Sequence, residues 1–276
     1  MPYIDTHAHV FLHQSTFVPT ARYYPDYTVT VEDYIQQLDR HNFNQGVLIQ
    51  PSFLGTDNRY MLAAIAAYPK RLKGVAVLDN QTDSATLWAL DQQGIVGVRL
   101  NLFGLPCPDL TLPEWHKFLT RLAAIHWQIE IHAPTDYLVQ LLPMLKPYAV
   151  EVVIDHFGRF DGDKGVADPD YQTLLTLLDP AQHWVKVSGY YRLESHTLSK
   201  EGVVGKTAKQ NATEAFALLV QRGMQNRLVW GSDWPHTQNE REMSFDKALS
   251  DFKDIVNDET LYNQILTKNN SALFRF

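Results

Sequence analysis

The chain has 276 residues, 45% of them apolar and 20% charged, with a formal net charge of -7. That size and polarity suit a soluble globular protein built as one α/β barrel or as two smaller domains. The acidic balance argues against a general nucleic-acid binder, which carries a basic face, and no run approaches the roughly 20 apolar residues of a membrane span.

The first apolar run, "YIDTHAH", reads as a buried strand. A long aromatic loop follows over residues 10–30, then a helix in "VEDYIQQLDRH" with Thr30 as its N-cap. "GVLIQ" is a second strand, and "NRYMLAAIAAY" is a helix that ends before Pro69. "LKGVAVL" and "IVGVRLN" are the third and fourth strands. The helix in "LPEWHKFLTRLAAIH", opened by Pro113, leads to the strand "WQIEIHA". "DYLVQLLPML" leads to "VEVVIDH", and "DYQTLLTLLD" leads to "HWVKVSG". A polar stretch over residues 190–206 and the helix "KQNATEAFALLVQRG" precede "RLVWGSD", the eighth strand. The strands are nearly continuously apolar, as expected when helices cover the sheet. Eight strands alternating with helices predict a single-domain (β/α)8 TIM-type barrel over residues 1–276. An open doubly wound sheet would place a Gly-rich phosphate turn after the first strand, and "THAHVFLHQ" has none.

Catalytic groups of such a barrel sit at the C-terminal ends of its strands. The first strand ends in His7 and His9, two apart and therefore on one side of an extended chain. The fifth ends in His132, the sixth in Asp155-His156 and the eighth in Asp233. Burying such groups without partners costs several kcal/mol, roughly, so they are expected to meet one another, a metal or a substrate. A lone HxH is weak evidence; the matched set is not, and a mere network of satisfied core histidines is the lesser reading. Imidazoles with a carboxylate suit one divalent ion such as Zn²⁺ or Mn²⁺. Without metal, the imidazoles can polarise a carbonyl by hydrogen bonding while Asp233 activates water. Asp155 alternates away from its neighbour and is not placed in the site. Ser52, Arg99, Arg159 and Arg192 fall near the same mouth, and the three arginines point to an anionic, carboxylate-bearing substrate. His13, His196 and His236 lie in mouth loops, where a solvated role is favoured. His183 precedes the seventh strand at the opposite mouth and receives no role. The single cysteine, Cys107, excludes an intrachain disulfide. With no leader signal before the first strand, the expectation is a cytoplasmic protein, and a homo-oligomer is left open.

"DTHAHVF", "GVLIQPS", "GVRLN", "VVIDHFGR", "VKVSGYYR" and "LVWGSDWPH" together resemble the amidohydrolase superfamily. More narrowly they resemble its branch around 2-pyrone-4,6-dicarboxylate lactonase and related sugar-lactone hydrolases. The resemblance implies a distorted (β/α)8 barrel that hydrolyses a small carboxylated lactone. His7, His9, His156 and Asp233 fall on the family's catalytic positions, and Tyr24, Ser52, Arg99, Arg159 and Arg192 at or near its substrate-binding ones. Two departures stand out. His132 replaces a tyrosine of the metal-independent pyrone enzyme, and metal-binding members of the superfamily use histidine there; the metal set would be His7, His9, His132, His156 and Asp233. The pyrone enzyme also has a further substrate arginine where this chain reads "LFGLPCPDL", with no basic residue. That places a doubly anionic substrate in question. Rival expectations on the same scaffold are a metal-dependent decarboxylase of an aromatic or enoic acid, a lactone isomerase and a non-catalytic metabolite-binding barrel.

Overall fold

The computed structural model describes residues 2–195 and 206–276. Eight parallel strands run in sequence order around a barrel: β1 (Tyr3–Ala8), β2 (Phe43–Ile49), β3 (Leu72–Ala76), β4 (Ile95–Asn101), β5 (Gln128–His132), β6 (Val152–Ile154), β7 (His183–Lys186) and β8 (Leu228–Val229). The short β8 hands closure to the residues that follow it. Thr6 and His9 donate backbone hydrogen bonds to the Trp230 and Trp234 carbonyls, and Asp233 donates to the His7 carbonyl at 2.8 Å. The expected (β/α)8 barrel is the observed fold, distorted where β8 breaks off.

The helices are α1 (Val31–Arg40), α2 (Arg59–Ala67), α3 (Ser84–Gln92), α4 (Pro113–Ala124), α5 (Thr135–Leu145), α6 (Pro169–Leu177), α7 (Ala208–Gln221) and α8 (Phe245–Val256), followed by short C-terminal helices. Thr30 caps α1 through a reciprocal capping box with Asp33, and Pro113 opens α4. The helices α3 and α8 are additions to the elements read from the sequence. Among the described residues no helix is long and apolar enough to cross a membrane.

Strand alternation sorts the core into two layers. Leu48, Ala76, Ile129, Ile131, Val152, Ile154 and Val185 pack outward beneath the helices. Val47, Ile49, Val75, Val153, Trp184 and Val229 form a separate inner cluster, closed from below by Leu273 and Phe274. Above this plug the barrel interior turns ionic. Glu130 lies between outward-facing Ile129 and Ile131, and Lys186 between Val185 and Val187, so both point inward; both side chains are fully buried. Lys186 Nζ lies 2.8 Å from Glu130 and 3.4 Å from Asp155. Arg99 donates through Nε and Nη2 to Asp155 Oδ2 at 3.0 and 2.8 Å. Two cations and two carboxylates thus join β4, β5, the end of β6 and β7.

Removing one member of a buried ion cluster strands the others. Lys186→Met is expected to lower unfolding stability by about 3 kcal/mol, measured by urea denaturation. Adding Glu130→Gln should recover part of that loss. Strictly additive losses would show that the two side chains do not compensate each other.

Candidate active site

The C-terminal ends of the strands open into a cleft of about 700 Å³, part of it open to solvent. His9, His132, His156 and Asp233 line it together with Ser52, Arg99, Arg159 and Arg192. Tyr23, Arg22, Asn101 and Phe103 complete the wall. Every strand-end group assigned to the site from the sequence converges here except His7, which is fully buried behind His9 and His156, its ring centroid 5.0 and 4.8 Å from theirs. Tyr24 requires a correction. It is 58% exposed and packs on Phe17, while its neighbour Tyr23 faces the cleft. His236 is buried rather than solvated, and His196 lies outside the described residues.

The β1 strand is clamped to the β8 end by Asp5. Its carboxylate accepts from Ser232 N, Ser232 Oγ, Tyr34 Oη and His7 N, at 2.7, 2.7, 3.0 and 3.2 Å. Burial pushes Asp5 up to about 6 in spite of these donors. Gly231 lets the two segments touch, since a Cβ there would lie 2.3 Å from His7 N. Gly189, at φ +57, does the same deeper in the site: its Cβ would strike His156 Nδ1 at 2.6 Å and Asp233 Oδ2 at 3.1 Å. The run "SGYYR" therefore needs glycine for room as well as for backbone conformation.

A chain of hydrogen bonds orients the histidines. His9 Nδ1 lies 2.7 Å from the Ile49 carbonyl, which can only accept, so Nδ1 carries the proton and Nε2 offers a lone pair. His7 Nε2, 3.3 Å from His9 Nε2, is then the donor of that pair. This leaves His7 Nδ1 as acceptor for the Lys186 ammonium at 3.1 Å. His156 Nδ1 meets Ser188 Oγ at 3.0 Å. Among the described residues neither ring nitrogen of His132 has a hydrogen-bond partner. All four imidazoles are held neutral. Burial lowers His9 to about 4 and His156 to about 3, and it drives His7 and His132 well below the ordinary histidine value, with neighbouring cations adding to the effect.

Asp233 has two differently occupied oxygens. Oδ2 accepts from Tyr191 Oη at 2.6 Å and Arg192 Nε at 2.9 Å. Oδ1 faces His7 Nε2 at 3.6 Å and His9 Nε2 at 3.7 Å. Burial works against its charge, but Arg192 and the nearby donors outweigh it and hold Asp233 well below the usual carboxylate range. Arg99 lines the cleft yet commits two nitrogens to Asp155, so the substrate role read for it is shared with the ionic layer. The residues missed from sequence are Glu130, Lys186, Tyr191, Tyr23 and Arg22.

The donor set can be set against the needs of a divalent ion. His7 Nε2, His9 Nε2 and Asp233 Oδ1 lie 3.3, 3.6 and 3.7 Å apart. Ligand atoms around a four-coordinate zinc stand about 3.3–3.6 Å apart, so the spacing of this trio is close to that of a zinc site once His7 carries its proton at Nδ1. A second grouping, His7, Asp155 and His156, does not, because Lys186 Nζ occupies the space between His7 Nδ1 and Asp155. His132 belongs to neither grouping.

An eight-stranded barrel with a histidine–aspartate centre at its C-terminal mouth defines a hydrolase-type site in which water and a carbonyl can be activated together. A family model described as Amidohydrolase matches residues 4–276. The chain belongs to the amidohydrolase family and is an enzyme of that superfamily. It is 30% identical over 255 residues to a 2-pyrone-4,6-dicarboxylate hydrolase of Comamonas testosteroni, covering 90% of this chain and 82% of that one. It is 29% identical to a 4-sulfomuconolactone hydrolase of Rhizobium radiobacter, covering 98% and 89%. Among solved structures, an Acinetobacter baumannii protein described as a probable 2-pyrone-4,6-dicarboxylic acid hydrolase, with citric acid bound, superposes with a TM-score of 0.94. It is 51% identical, with all of both chains covered.

For a metal, His7 must present a lone pair at Nε2 and therefore carry its proton at Nδ1, against the Lys186 ammonium. Lys186→Met removes both that conflict and a nearby positive charge. Zn²⁺ affinity, measured by competition with a chromophoric chelator, is expected to rise in this variant. Unchanged or weaker affinity would contradict the assigned histidine tautomers.

Proposed function

We propose that the protein hydrolyses the ester bond of a small carboxylated lactone. The observation that carries this reading is the Asp233 carboxylate. One oxygen is anchored by Tyr191 and Arg192, and the other is directed at the histidine cluster inside a cleft with four arginines. The relatives named as lactone hydrolases support it, as does citric acid, a small polyanion, in the Acinetobacter structure.

In this reading Asp233 Oδ1 takes a proton from a water placed against the lactone carbonyl. The water oxygen bonds to the carbonyl carbon and the ring C–O bond then breaks. The proton held by Asp233 passes to the departing ring oxygen, so acid and alcohol (or enol) ends are both accounted for. His132 and His156 line the cleft as neutral imidazoles, and either can donate N–H to the carbonyl oxygen as it gains charge. His9 has both ring nitrogens engaged, by the Ile49 carbonyl and by His7, and His7 is held in turn by Lys186, so this pair fixes the floor of the site beside Asp233. A Zn²⁺ or Mn²⁺ ion held by His7, His9 and Asp233 would, when bound, add Lewis-acid polarisation and a more acidic water. Ser52, Tyr23, Arg159 and Arg192 bind the substrate. The single free cysteine is what supports a reducing, cytoplasmic location.

Asp233→Asn keeps the shape of the site and removes the base. Lactone turnover is expected to fall by about a hundredfold or more, while the lactone still binds; unchanged turnover would overturn the mechanism. A pH profile adds an independent check. Arg192 is the main charge holding Asp233 down, so Arg192→Gln raises the carboxylate's pKa. The acid-side fall in kcat should then move to higher pH in Arg192→Gln than in the wild type. An acid limb that stays in place would assign it to another group.

A further inference from the structure

The four guanidiniums of the cleft are not equivalent. Arg99 is paired with Asp155 and Arg192 with Asp233. Arg22 and Arg159 have no carboxylate partner among the described residues. Arg22 Nη2 donates to the Asn101 side-chain oxygen at 3.2 Å, and Arg159 Nη1 donates to the Arg192 carbonyl at 2.6 Å. Both guanidiniums gather at one ring, with Cζ atoms 5.6 Å (Arg22) and 4.9 Å (Arg159) from the centroid of Phe103. Burial pushes Arg159 down to about 10, and the neighbouring Arg192 adds to that, so a counter-anion beside it would be stabilising. Among the described residues Asp233 is the only carboxylate lining the cleft, and it is already engaged.

The position of Arg22 has a specific cause. It comes from the loop between β1 and α1 and lies across the loop after β4 at Gly104. A Cβ on Gly104 would stand 3.0 Å from Arg22 Cδ, and the glycine is at φ +72, where side chains are disfavoured. The β4 loop carries no basic side chain of its own in "LFGLPCPDL"; instead it leaves a gap through which an arginine from another loop enters.

We infer that Arg22, admitted by Gly104, is a specificity-determining residue that forms with Arg159 a second anion subsite beside Phe103, so that the enzyme selects lactones with a second carboxylate remote from the reacting carbonyl. This deepens the lactone-hydrolase reading and, for its kinetic arm, rests on it. Charge-assisted, two-pronged contacts of this kind discriminate strongly between a substrate that has the anion and one that lacks it.

The test compares wild type, Arg22→Gln and Arg22→Lys on 2-pyrone-4,6-dicarboxylate and on the corresponding 6-monocarboxylate. Arg22→Gln should lower kcat/KM for the dicarboxylate by about 10- to 100-fold, mainly through KM, and change the monocarboxylate by less than about threefold. Arg22→Lys should recover part of the loss. A calorimetric titration with isophthalate and benzoate, which do not react, separates this inference from the catalytic reading. If no lactone is turned over, the catalytic reading fails, and the isophthalate-over-benzoate preference of wild type and its loss in Arg22→Gln still decide the subsite. Equal losses for mono- and dianions, no loss for either, or no dianion preference in the wild type would overturn it.

Discussion

An ammonium group with no exposure to water sits at the centre of this barrel, and the site above it is arranged around that charge. Lys186 lies within 3.1 Å of His7, 2.8 Å of Glu130 and 3.4 Å of Asp155. Such a group is tolerable only when carboxylates and acceptors surround it. The arrangement leaves its mark on both acids. Burial and the Asp155 charge push Glu130 upward against the pull of Lys186 and Arg99, whereas the same two cations hold Asp155 below the usual carboxylate range against burial. It also orders the imidazoles. With its Nδ1 facing the ammonium, His7 turns an N–H toward His9, and His9 is fixed from its other side by the Ile49 carbonyl. Asp155, which alternation along the sequence assigns to the far side of its strand end, is a member of this supporting layer.

Above the layer, the cleft combines neutral histidines with unbalanced positive charge. The neutrality follows from burial and from the surrounding guanidiniums, which make a further proton unfavourable. Neutral imidazoles can donate N–H to a carbonyl or offer a lone pair to a metal, so the electrostatic setting serves either form of polarisation. Asp233 is restrained in the same way. Arg192 and Tyr191 hold one oxygen and lower its basicity, which keeps it ionised and ready to accept a proton.

Most of the site is legible in the sequence because an apolar strand ending in His or Asp buries a polar group, and such a group needs partners at the same barrel mouth. The eight strands are legible for a related reason: "IVGVRLN" and its like are short, apolar and bounded by turns, and in the barrel they are largely buried. Glu130 and Lys186 are harder to read because a single charge inside an apolar run looks like an interruption. Their signal is the alternation itself, since each is flanked by apolar residues that face the helices. Tyr23 rather than Tyr24 lines the cleft, a shift of one residue in a loop where no periodicity fixes which side chain faces in. Arg22 is hidden because its partner, Gly104, is more than 80 positions away in the chain. Helix α3 has one buried residue, Leu87, and so shows no clear apolar stripe.

The central claim is that water, activated by Asp233, opens a carboxylated lactone. The most direct measurement is the reaction of 2-pyrone-4,6-dicarboxylate in ¹⁸O-labelled water, with the products resolved by mass spectrometry. The account predicts a ring-opened acid carrying one ¹⁸O in its new carboxylate. Released CO2 would contradict it as a decarboxylation, and a rearranged lactone without label would contradict it as an isomerisation.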